Sequence, residues 1–475
     1  MAHAFSFDDQ EVFARLSGDY NPIHVDRLAA RRLMFGRLVV HGVHVVLWAL
    51  DRWCENQAEN VRLNSLKVKF RAPIVVDEPV DLATDSPIPG AAKIVVTANR
   101  HKLLTADFSY QARTESGLPI PREIPARGPC RDQSAAELGN LSGRLPICLE
   151  TQSASRMFPN ALRRLAGDQL AVLLATSRLV GMEAPGLHSI FNGLDLKASD
   201  ELGDPELTYR SEGYDERVSL LTLRIAAPGL CGLLSAFVRP APKEQATVAT
   251  IEAIVRPGEF LGERALVIGG SRGLGEVAVK ELAAGGAHVK FSYHRGEVEA
   301  NRVVSEVVAG GHRAECFCHD VLADAATLKA RVGDWSPTLL CYFATPFIFT
   351  AVKGRFSAER FLDFCDYYVR GFLNTFEAAR DLGNELRYVL CPSTSAIDEL
   401  PMNLGEYSAA KSAAEVLCQF LQKSHPVLRI SCPRLPRLPT DQTASLLPVD
   451  TRDSAEAVLA ALREMRAAPE RTSLS

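Results

Sequence analysis

The stretch Ala265-Leu-Val-Ile-Gly-Gly-Ser-Arg-Gly-Leu-Gly275 decides the fold of the C-terminal part of the chain. Its four apolar residues predict a buried strand, and its glycines allow a tight turn and a close approach of the backbone to a pyrophosphate. A helical pattern follows Gly275, and the N-terminus of a helix attracts anions. The strand, loop and helix together predict a nucleotide-binding unit.

Outward from this stretch, short apolar strands alternate with segments of helical period from Glu263 onward. Examples are His288-Val-Lys-Phe-Ser292 and Arg387-Tyr-Val-Leu390, and residues 453–465 predict a closing amphipathic helix. Strands that alternate with helices are typical of a parallel sheet covered on both faces. We therefore predict an α/β Rossmann fold with a doubly wound parallel sheet.

The residues expected to bind the nucleotide lie after the first three strands. Ser292-Tyr-His-Arg295 ends the second strand without a carboxylate for a ribose 2'-hydroxyl, whereas Arg272 and Arg295 can neutralise a 2'-phosphate. NADP is therefore favoured over NAD. Asp320 is expected beside the adenine or, alternatively, as a helix N-cap. The loop itself is expected to contact the cofactor through Gly269, Ser271, Arg272, Gly273, Leu274 and Gly275.

Farther along, Tyr407-Ser-Ala-Ala-Lys411 places a phenol and an ammonium one helical turn apart on the same face. The cation favours proton transfer from the phenol, which makes the pair suitable for acid/base chemistry. An ordinary helix surface is the alternative, because this spacing is common.

Taken with the Gly269 loop, Tyr407 and Lys411 make residues 263–465 resemble the short-chain dehydrogenase/reductase family. The resemblance implies that Tyr407 donates a proton and that Lys411 binds the nicotinamide ribose. It also implies a carbonyl-orienting serine, for which Ser393 is favoured and Ser395 is second.

Three segments depart from that family. Tyr342-Phe-Ala-Thr345 stands where the family has Asn-Asn-Ala-Gly, Tyr368 replaces a helix asparagine, and Pro433-Arg434 replaces Pro-Gly. We therefore keep open whether this domain reduces a substrate or only binds a nucleotide.

A second group of polar residues lies near the N-terminus, in Ser17-Gly-Asp-Tyr-Asn-Pro-Ile-His24. Pro22 disfavours a helix through Asn21, so that the side chains of Asp19 and His24 can converge. A carboxylate and an imidazole around one water form an acid/base pair. A surface turn with an exposed histidine is the alternative.

The longer pattern Phe13-Ala-x-Leu-Ser-Gly-Asp-x-Asn-Pro-x-His24, followed by Val39-Val-His-Gly42, resembles MaoC-like (R)-specific enoyl thioester hydratases of hot-dog fold. The resemblance implies that Asp19 and His24 hold a water or exchange its protons. It further implies that Asn21 fixes the loop and that the Gly42 amide stabilises the enolate oxygen.

His41 and His44 can also be read as a helical metal-binding pair. No acidic residue stands between them and no third ligand is apparent, so no metal is expected. His41 is better explained by the His-Gly step of the hydratases.

The chain is predicted to contain several domains. The first (1–113) is the MaoC-like hot dog, residues 114–146 are a proline-rich linker, and 147–245 form a second, degenerate hot dog without the Asp-x-Asn-Pro-x-His motif. Residues 179–189 resemble the part of such a domain where its helix starts. The two α+β units would form an internal double hot dog.

Composition excludes other classes of protein. The 53 basic and 57 acidic side chains give a net charge of -4, which argues against a nucleic-acid partner. The eleven cysteines include one close pair, Cys316 and Cys318, so that neither zinc nor disulfides are indicated and a reducing cytoplasm fits best. Neither a signal peptide nor a membrane span is predicted.

Both halves of the chain point to acyl thioesters, on coenzyme A or a carrier protein. The prediction is a bifunctional enzyme of fatty-acid metabolism: an (R)-specific 2-enoyl hydratase/3-hydroxyacyl dehydratase joined to an NADP-dependent 3-oxoacyl reductase, as a homo-oligomer. The first alternative is a hydratase whose Rossmann domain only binds nucleotide or docks. The second is an acyl-binding protein without activity.

Overall fold

The structure is a computed structural model that describes residues 2–33, 35–113, 120–200, 203–349, 354–443 and 452–467. The described chain folds as two compact units, divided between Ala241 and Pro242. We call them the N-terminal unit and the C-terminal unit. Residues 1–113 and 147–241 therefore share one unit, although the sequence predicted a linker between two domains.

The N-terminal unit contains a sheet of ten strands and eight α-helices in its described residues. Its helices are α1 (Phe7–Ser17), α2 (Pro22–Val25), α3 (Arg27–Ala30), α4 (Gly42–Cys54), α5 (Ala135–Leu138), α6 (Thr151–Met157), α7 (Pro159–Arg164) and α8 (Gly167–Arg178). Its strands are β1 (His3–Ala4), β2 (Val61–Phe70), β3 (Pro79–Ile88), β4 (Ala91–Ala98), β5 (His101–Ala112), β6 (Ser142–Pro146), β7 (Ser189–Ser199), β8 (Glu206–Asp215), β9 (Leu220–Ala227) and β10 (Gly229–Val238).

The sheet repeats one topology twice. Its strand order is β1-β3-β4-β5-β2-β7-β10-β9-β8-β6, with antiparallel pairing throughout. In each half a helix precedes a long strand, which is followed by three more strands. The halves meet where β2 pairs with β7, and Lys67 and Asp195 face each other there with an ion pair of 2.8 Å.

The two long helices, α4 and α8, are the centre of the unit. Eleven of the thirteen residues of α4 and ten of the twelve of α8 are buried, as expected of helices that are covered on most sides. Arg62 of β2 forms an ion pair of 3.0 Å with Asp168 of α8, and the Gln169 side chain bonds both backbone groups of Leu63. These contacts join α8, in the second half of the unit, to β2 in the first half.

Two expectations from the sequence need correction. The described part of the expected linker contains α5 and β6, and β6 extends the sheet by pairing with β8. Residues 179–189 do not start a helix, because they contain a π-helical turn, Leu179–Glu183, at the end of α8 and lead into β7. The helix of the second half starts at Gly167 instead.

The C-terminal unit contains a six-stranded parallel sheet in the order β13-β12-β11-β14-β15-β17. The strands of this sheet are β11 (Arg264–Ile268), β12 (His288–Tyr293), β13 (Arg313–Cys318), β14 (Leu339–Tyr342), β15 (Tyr388–Leu390) and β17 (Arg429–Ser431). Two further strands, β16 (Ser393–Thr394) and β18 (Arg434–Leu435), form a separate sheet. Its helices are α9 (Val248–Glu252), α10 (Gly273–Ala284), α11 (Glu297–Ala309), α12 (Ala325–Val332), α13 (Ala358–Cys365), α14 (Phe372–Asp381), α15 (Ala396–Glu399), α16 (Gly405–Ser424) and α17 (Ser454–Arg466).

This strand order is that of a Rossmann fold and confirms the predicted parallel sheet. Strand β11 occupies the centre, and its residues contribute to hydrophobic cores on both faces of the sheet, Val267 to one and Leu266 to the other. The order reverses between β11 and β14, so that a crevice is expected beyond their carboxyl ends. In the described ranges, no helix is long and apolar enough to cross a membrane.

Candidate functional site

In the N-terminal unit, the segment from Gly18 to His24 connects α1 to α2. Gly18 ends α1 with φ 79°, a conformation that glycine adopts without strain. Asn21 caps α2 by accepting a hydrogen bond from the Ile23 amide at 3.2 Å, and Pro22 is the first residue of that helix. Asp19 therefore lies in a tight connection between two helices.

The Asp19 carboxylate is buried and accepts two hydrogen bonds. The Ser177 hydroxyl donates to Oδ2 at 2.7 Å, and the Asn21 amide donates to Oδ1 at 3.2 Å. Burial raises the pKa of Asp19, whereas His24, Ser177 and Asn21 act to lower it. The Asp19 carboxylate thus takes up a proton more readily than an exposed aspartate does.

His24 faces Asp19 with a defined tautomer. Its Nδ1 lies 2.8 Å from the Val39 carbonyl oxygen, which can only accept, so Nδ1 carries the hydrogen and Nε2 keeps a lone pair in the neutral ring. Burial lowers the pKa of His24, and the Asp19 carboxylate partly offsets this effect. At neutral pH, His24 is therefore suited to accept a proton.

His41 lies against the same pair of residues. The rings of His24 and His41 stack with centroids 3.9 Å apart, and one ligand atom from each of Asp19, His24 and His41 falls within 4.8 Å of the other two. The ring nitrogens of His41 lie 3.0 Å from the Asp19 carbonyl and 3.0 Å from Gln10 Oε1.

Burial keeps the pKa of His41 well below its ordinary value and lowers the pKa of His44 to about 3. The group near Asp19 therefore contains His24 and His41 but not His44, and the sequence did not indicate this combination. Both ring nitrogens of His41 already lie 3.0 Å from oxygen atoms of the protein, so the arrangement fits a metal ion poorly.

A cavity of about 260 Å³ opens beside Asp19 and His24. Most of its walls are apolar, with the phenylalanines Phe35, Phe70, Phe191 and Phe237. Gly42 also lines it and is the first residue of α4, where amide groups have no partner within the helix. A Cβ atom at Gly42 would lie 2.9 Å from the Phe70 ring, so a side chain there would displace this wall.

The second half of the unit supplies residues that sequence reasoning missed. Besides Ser177, the carbonyls of Gly181 and Gly186 accept hydrogen bonds from the Asn21 side chain at 2.8 and 3.1 Å. A Cβ atom at Gly181 would lie 2.1 Å from Asp19 Oδ1, so only glycine fits. These residues are about 160 positions away, and no local pattern marks them.

In the C-terminal unit, the glycine loop after β11 has the shape of a phosphate cradle. Gly269 has φ 84°, and a Cβ atom at Gly275 would lie 2.1 Å from the Gly269 carbonyl oxygen. Gly273, with φ 58°, opens α10, and a Cβ atom added there would come no nearer than 3.7 Å to Thr440. The loop therefore leaves room at a helix N-terminus, which fits a dinucleotide pyrophosphate.

The other predicted nucleotide-binding residues surround this loop. Ser271 and Leu274 belong to it, Arg272 forms an ion pair of 3.7 Å with Asp441, and Arg295 is exposed after β12.

Asp320 follows β13. Its Oδ1 accepts a hydrogen bond from the Leu322 amide at 3.0 Å, and His294 lies 3.8 Å from its carboxylate. The alternative that Asp320 caps a helix is wrong, because Asp324 caps α12.

Tyr407 and Lys411 lie on α16, as the spacing predicted. The Lys411 ammonium donates to the Pro392 carbonyl at 2.8 Å and lies 4.2 Å from the centre of the Tyr368 ring. That ring contacts Tyr407 edge-on at 5.8 Å, and its hydroxyl bonds Thr345 at 2.5 Å. Thr345 and Tyr368, which both depart from the family pattern, therefore contact each other beside Tyr407 and Lys411.

Ser393 is buried next to Pro392, and the structure places it beside Glu415. The pKa of Glu415 is lowered mainly by Arg434, at 2.7 Å, and in part by Ser393. Within the described chain, no hydrogen bond joins the hydroxyls of Ser393 and Tyr407. Ser395, the second choice, precedes α15 and donates its amide to Leu435.

Comparison with protein families finds two matches along the chain. Residues 3–86 match the family described as MaoC like domain, and residues 263–335 match the short chain dehydrogenase family. The first match contains the Asp19 and His24 loop, and the second contains the glycine loop and Asp320.

Two relatives each match part of the chain. The "Short chain dehydrogenase/reductase dmxR18" of Cryptosporiopsis sp. is 31% identical over 174 residues, which are 35% of this chain and 65% of that protein. Versicolorin reductase 1 of Dothistroma septosporum is 42% identical over 60 residues, 13% of this chain and 23% of that protein. The chain thus spans less than two thirds of either relative.

A solved structure of a short chain dehydrogenase from Burkholderia cenocepacia in complex with NADP is 21% identical, with a TM-score of 0.38, and covers 46% of this chain and 95% of that one. The matched families support lyase and oxidoreductase activity. The chain is thus similar to MaoC-like domains near its N-terminus and to short-chain dehydrogenases in its C-terminal unit.

Proposed function

We propose that the N-terminal unit is a double hot dog that acts as an (R)-specific 2-enoyl thioester hydratase and, in reverse, as a 3-hydroxyacyl dehydratase. The observation that carries this proposal is that the buried Asp19 and the partly buried His24 lie together on the wall of an apolar cavity. The repeated topology of the sheet supports the double hot dog, whose second, degenerate half would support the site rather than form another.

In hydration, Asp19 and His24 would hold a water and exchange its protons. Neutral His24 is placed to accept a proton through Nε2 while the water oxygen bonds to C3 of the enoyl group. The Asp19 and His24 pair then delivers one proton to C2, so that the elements of water are added across the double bond and the pair returns to its starting state. The Gly42 amide at the start of α4 would stabilise the enolate oxygen, and Asn21 would hold the loop.

For the C-terminal unit we propose an NADP-dependent 3-oxoacyl reductase. NADPH, when bound, supplies hydride to C3. Tyr407 would donate a proton to the oxygen, Lys411 would hold the nicotinamide ribose and Ser393 would orient the carbonyl.

Nucleotide selectivity in this proposal comes from residues at the edge of the sheet. Arg272 and Arg295 would neutralise the 2'-phosphate of NADP, and Asp320 would lie beside the adenine. NAD, which lacks this phosphate, would bind less well.

The two activities share an intermediate, because the hydroxyacyl thioester is the substrate of one and the product of the other. This gives the fusion a chemical reason and places it in fatty-acid metabolism, with thioesters of coenzyme A or a carrier protein. A cytoplasmic homo-oligomer is part of the same proposal.

A hydratase with a Rossmann domain that only binds nucleotide is the second candidate. It is favoured by the contacts of Lys411, which is held by Pro392 and covered by Tyr368. The Ser393 hydroxyl is buried without a hydrogen-bond partner among the described residues, and the missing bond to Tyr407 also favours this candidate.

An absorbance assay with crotonyl-coenzyme A and NADP tests both candidates. Loss of the enoyl signal together with NADP reduction supports two activities, and loss of the enoyl signal alone supports the second candidate. The Asp19→Asn variant should abolish both signals, because no hydroxyacyl thioester forms, and Tyr407→Phe should abolish only NADP reduction, while the exposed Asp107→Asn changes neither. Hydration that survives Asp19→Asn and His24→Ala would contradict the assigned site.

A further inference from the structure

The interior of the N-terminal unit contains an arginine, Arg239, with no acidic partner among the described residues. It follows β10, and only 2% of its surface is exposed. Burial lowers the pKa of Arg239 to about 10, so the guanidinium stays charged at neutral pH. A buried charge without a counter-ion is costly, which makes a structural accident a poor explanation.

Arg239 is bound to the turn before β7. Its Nη2 donates to the Leu187 carbonyl at 2.6 Å, and its Nη1 lies 3.4 Å from Nδ1 of His188. Since a guanidinium only donates, Nδ1 of His188 accepts, and the ring hydrogen is on Nε2, 3.3 Å from Asp132. Burial and Arg239 both lower the pKa of His188, in agreement with a neutral ring.

The same turn holds the hydratase loop. The Leu187 carbonyl that accepts from Arg239 lies 3.4 Å from the side-chain nitrogen of Asn21, which also bonds Gly181 and Gly186. The backbone amide of Asn21 in turn donates to Asp19. Arg239 is thus two hydrogen bonds away from the loop that carries the acid/base pair.

The charge of Arg239 also reaches His24. Burial lowers the pKa of His24 most, Asp19 raises it, and Arg239 lowers it. The histidines His41 and His44 lie near the ring as well, but burial holds both neutral. At neutral pH, the charges that act on His24 are therefore those of Asp19 and Arg239.

We propose that Arg239 is a positioning residue of the hydratase site: its bond to Leu187 holds the turn that anchors Asn21, and its buried charge, without an acidic partner among the described residues, adds to the effect of burial on His24. This inference rests on the proposed hydratase function. It assigns to Arg239 a part of the lower pH limit of the reaction, because a protonated His24 has no lone pair to offer to a water.

The decisive variants place a counter-ion beside Arg239 without removing it. His188→Glu puts a carboxylate next to the guanidinium, and His188→Gln is the uncharged control. In the full-length protein, His188→Glu should move the acid limb of kcat/KM for crotonyl-coenzyme A hydration to higher pH by about half a unit or more. His188→Gln should leave the limb where it is.

Direct replacement of the arginine gives a second comparison. Arg239→Gln should shift the acid limb of kcat/KM in the same direction as His188→Glu. Arg239→Lys keeps the charge, so its acid limb should stay at the wild-type position while kcat/KM itself is reduced. Circular dichroism shows which variants fold. An unshifted limb in folded His188→Glu overturns the proposal, even where Arg239→Gln does not fold.

A titration of the His24 ring by NMR, assigned with His24→Ala, separates failure of this inference from failure of the proposed function. If crotonyl-coenzyme A is not hydrated, the ring titration still reports whether the Arg239 charge lowers the proton affinity of His24. A titration midpoint that is equal in the wild type, His188→Glu and His188→Gln contradicts the inference.

Discussion

At the scale of single residues, the state of Asp19 follows from two opposed effects. Burial disfavours its charge, while the Ser177 hydroxyl and the Asn21 amide stabilise it with hydrogen bonds. The pKa of a carboxyl group under two such opposed effects changes when one hydrogen-bond donor is removed. Ser177 and Gly181 both come from the second half of the unit and line the cavity, and they therefore affect the proposed chemistry through their contacts with Asp19.

Ser177→Ala should reduce hydration because it removes the 2.7 Å hydrogen bond to Asp19 Oδ2. Without this donor the pKa of Asp19 rises further, so the carboxylate is lost at a higher pH and the acid limb of kcat/KM moves upward. We expect kcat/KM at neutral pH to fall about tenfold, as for a bond to a charged group. Ser189→Ala, which also lines the cavity, is the control and should keep the wild-type profile.

Gly181→Ala should displace Asp19, since the new methyl group would lie 2.1 Å from its Oδ1. We expect a loss of most hydratase activity and a drop in stability of about 1–3 kcal/mol, as for overpacking of a core. Gly167→Ala is the matched control, because its methyl group would meet only Leu149 at 3.7 Å. Equal activity of the two variants would show that Asp19 is not held as described.

At the scale of elements, a π-helical turn lies at the candidate site of each unit. Leu179–Glu183 brings Gly181 against Asp19, and Asp366–Gly371, between α13 and α14, carries Tyr368. A π-turn adds one residue to a helical turn and changes which side chains face a neighbour, which is why such turns are frequent at functional sites. The ring of Tyr368 in this way reaches Lys411 on α16.

Tyr368→Leu should weaken NADPH binding, because Lys411 loses the ring beneath its ammonium. Tyr368→Phe keeps this ring and loses only the bond to Thr345, so its affinity should remain near that of the wild type. Fluorescence titration with NADPH measures both. If the affinity for NADPH falls equally in the two variants, the hydroxyl of Tyr368 and not its ring is what supports binding.

At the scale of the whole molecule, the ten-stranded sheet makes the N-terminal unit indivisible. The two halves share one core, and β2 pairs with β7 at their junction. Both halves contribute to the environment of Asp19. The division of the chain that respects this sheet lies between Ala241 and Pro242.

A fragment of residues 1–241 should fold and hydrate crotonyl-coenzyme A. A fragment of residues 1–113 should aggregate and be inactive, because it exposes the β2 edge and lacks Ser177. Size-exclusion chromatography and the enoyl assay distinguish these outcomes. A soluble, active 1–113 fragment would show that the second half is dispensable.

Much of the architecture could be predicted because its signals are local. The strand and glycine loop at Ala265–Gly275 predicted the Rossmann sheet, and the structure confirms it through the strand order. The spacing of Asp19 and His24 across Pro22 likewise predicted that they converge, as they do. Each of these patterns spans only a few residues, and over so short a segment the backbone can adopt few conformations.

The sequence alone thus determined which chemical groups the chain carries and which turns present them, whereas tertiary structure decided what surrounds them. Ser177, Gly181 and Arg239 reach the Asp19 loop from more than 150 residues away, and the strand β6 was hidden in a proline-rich segment. The physical reason is that burial, and the pairing of distant segments, depend on which strands become neighbours in the sheet. No local pattern of residues encodes that choice of neighbours.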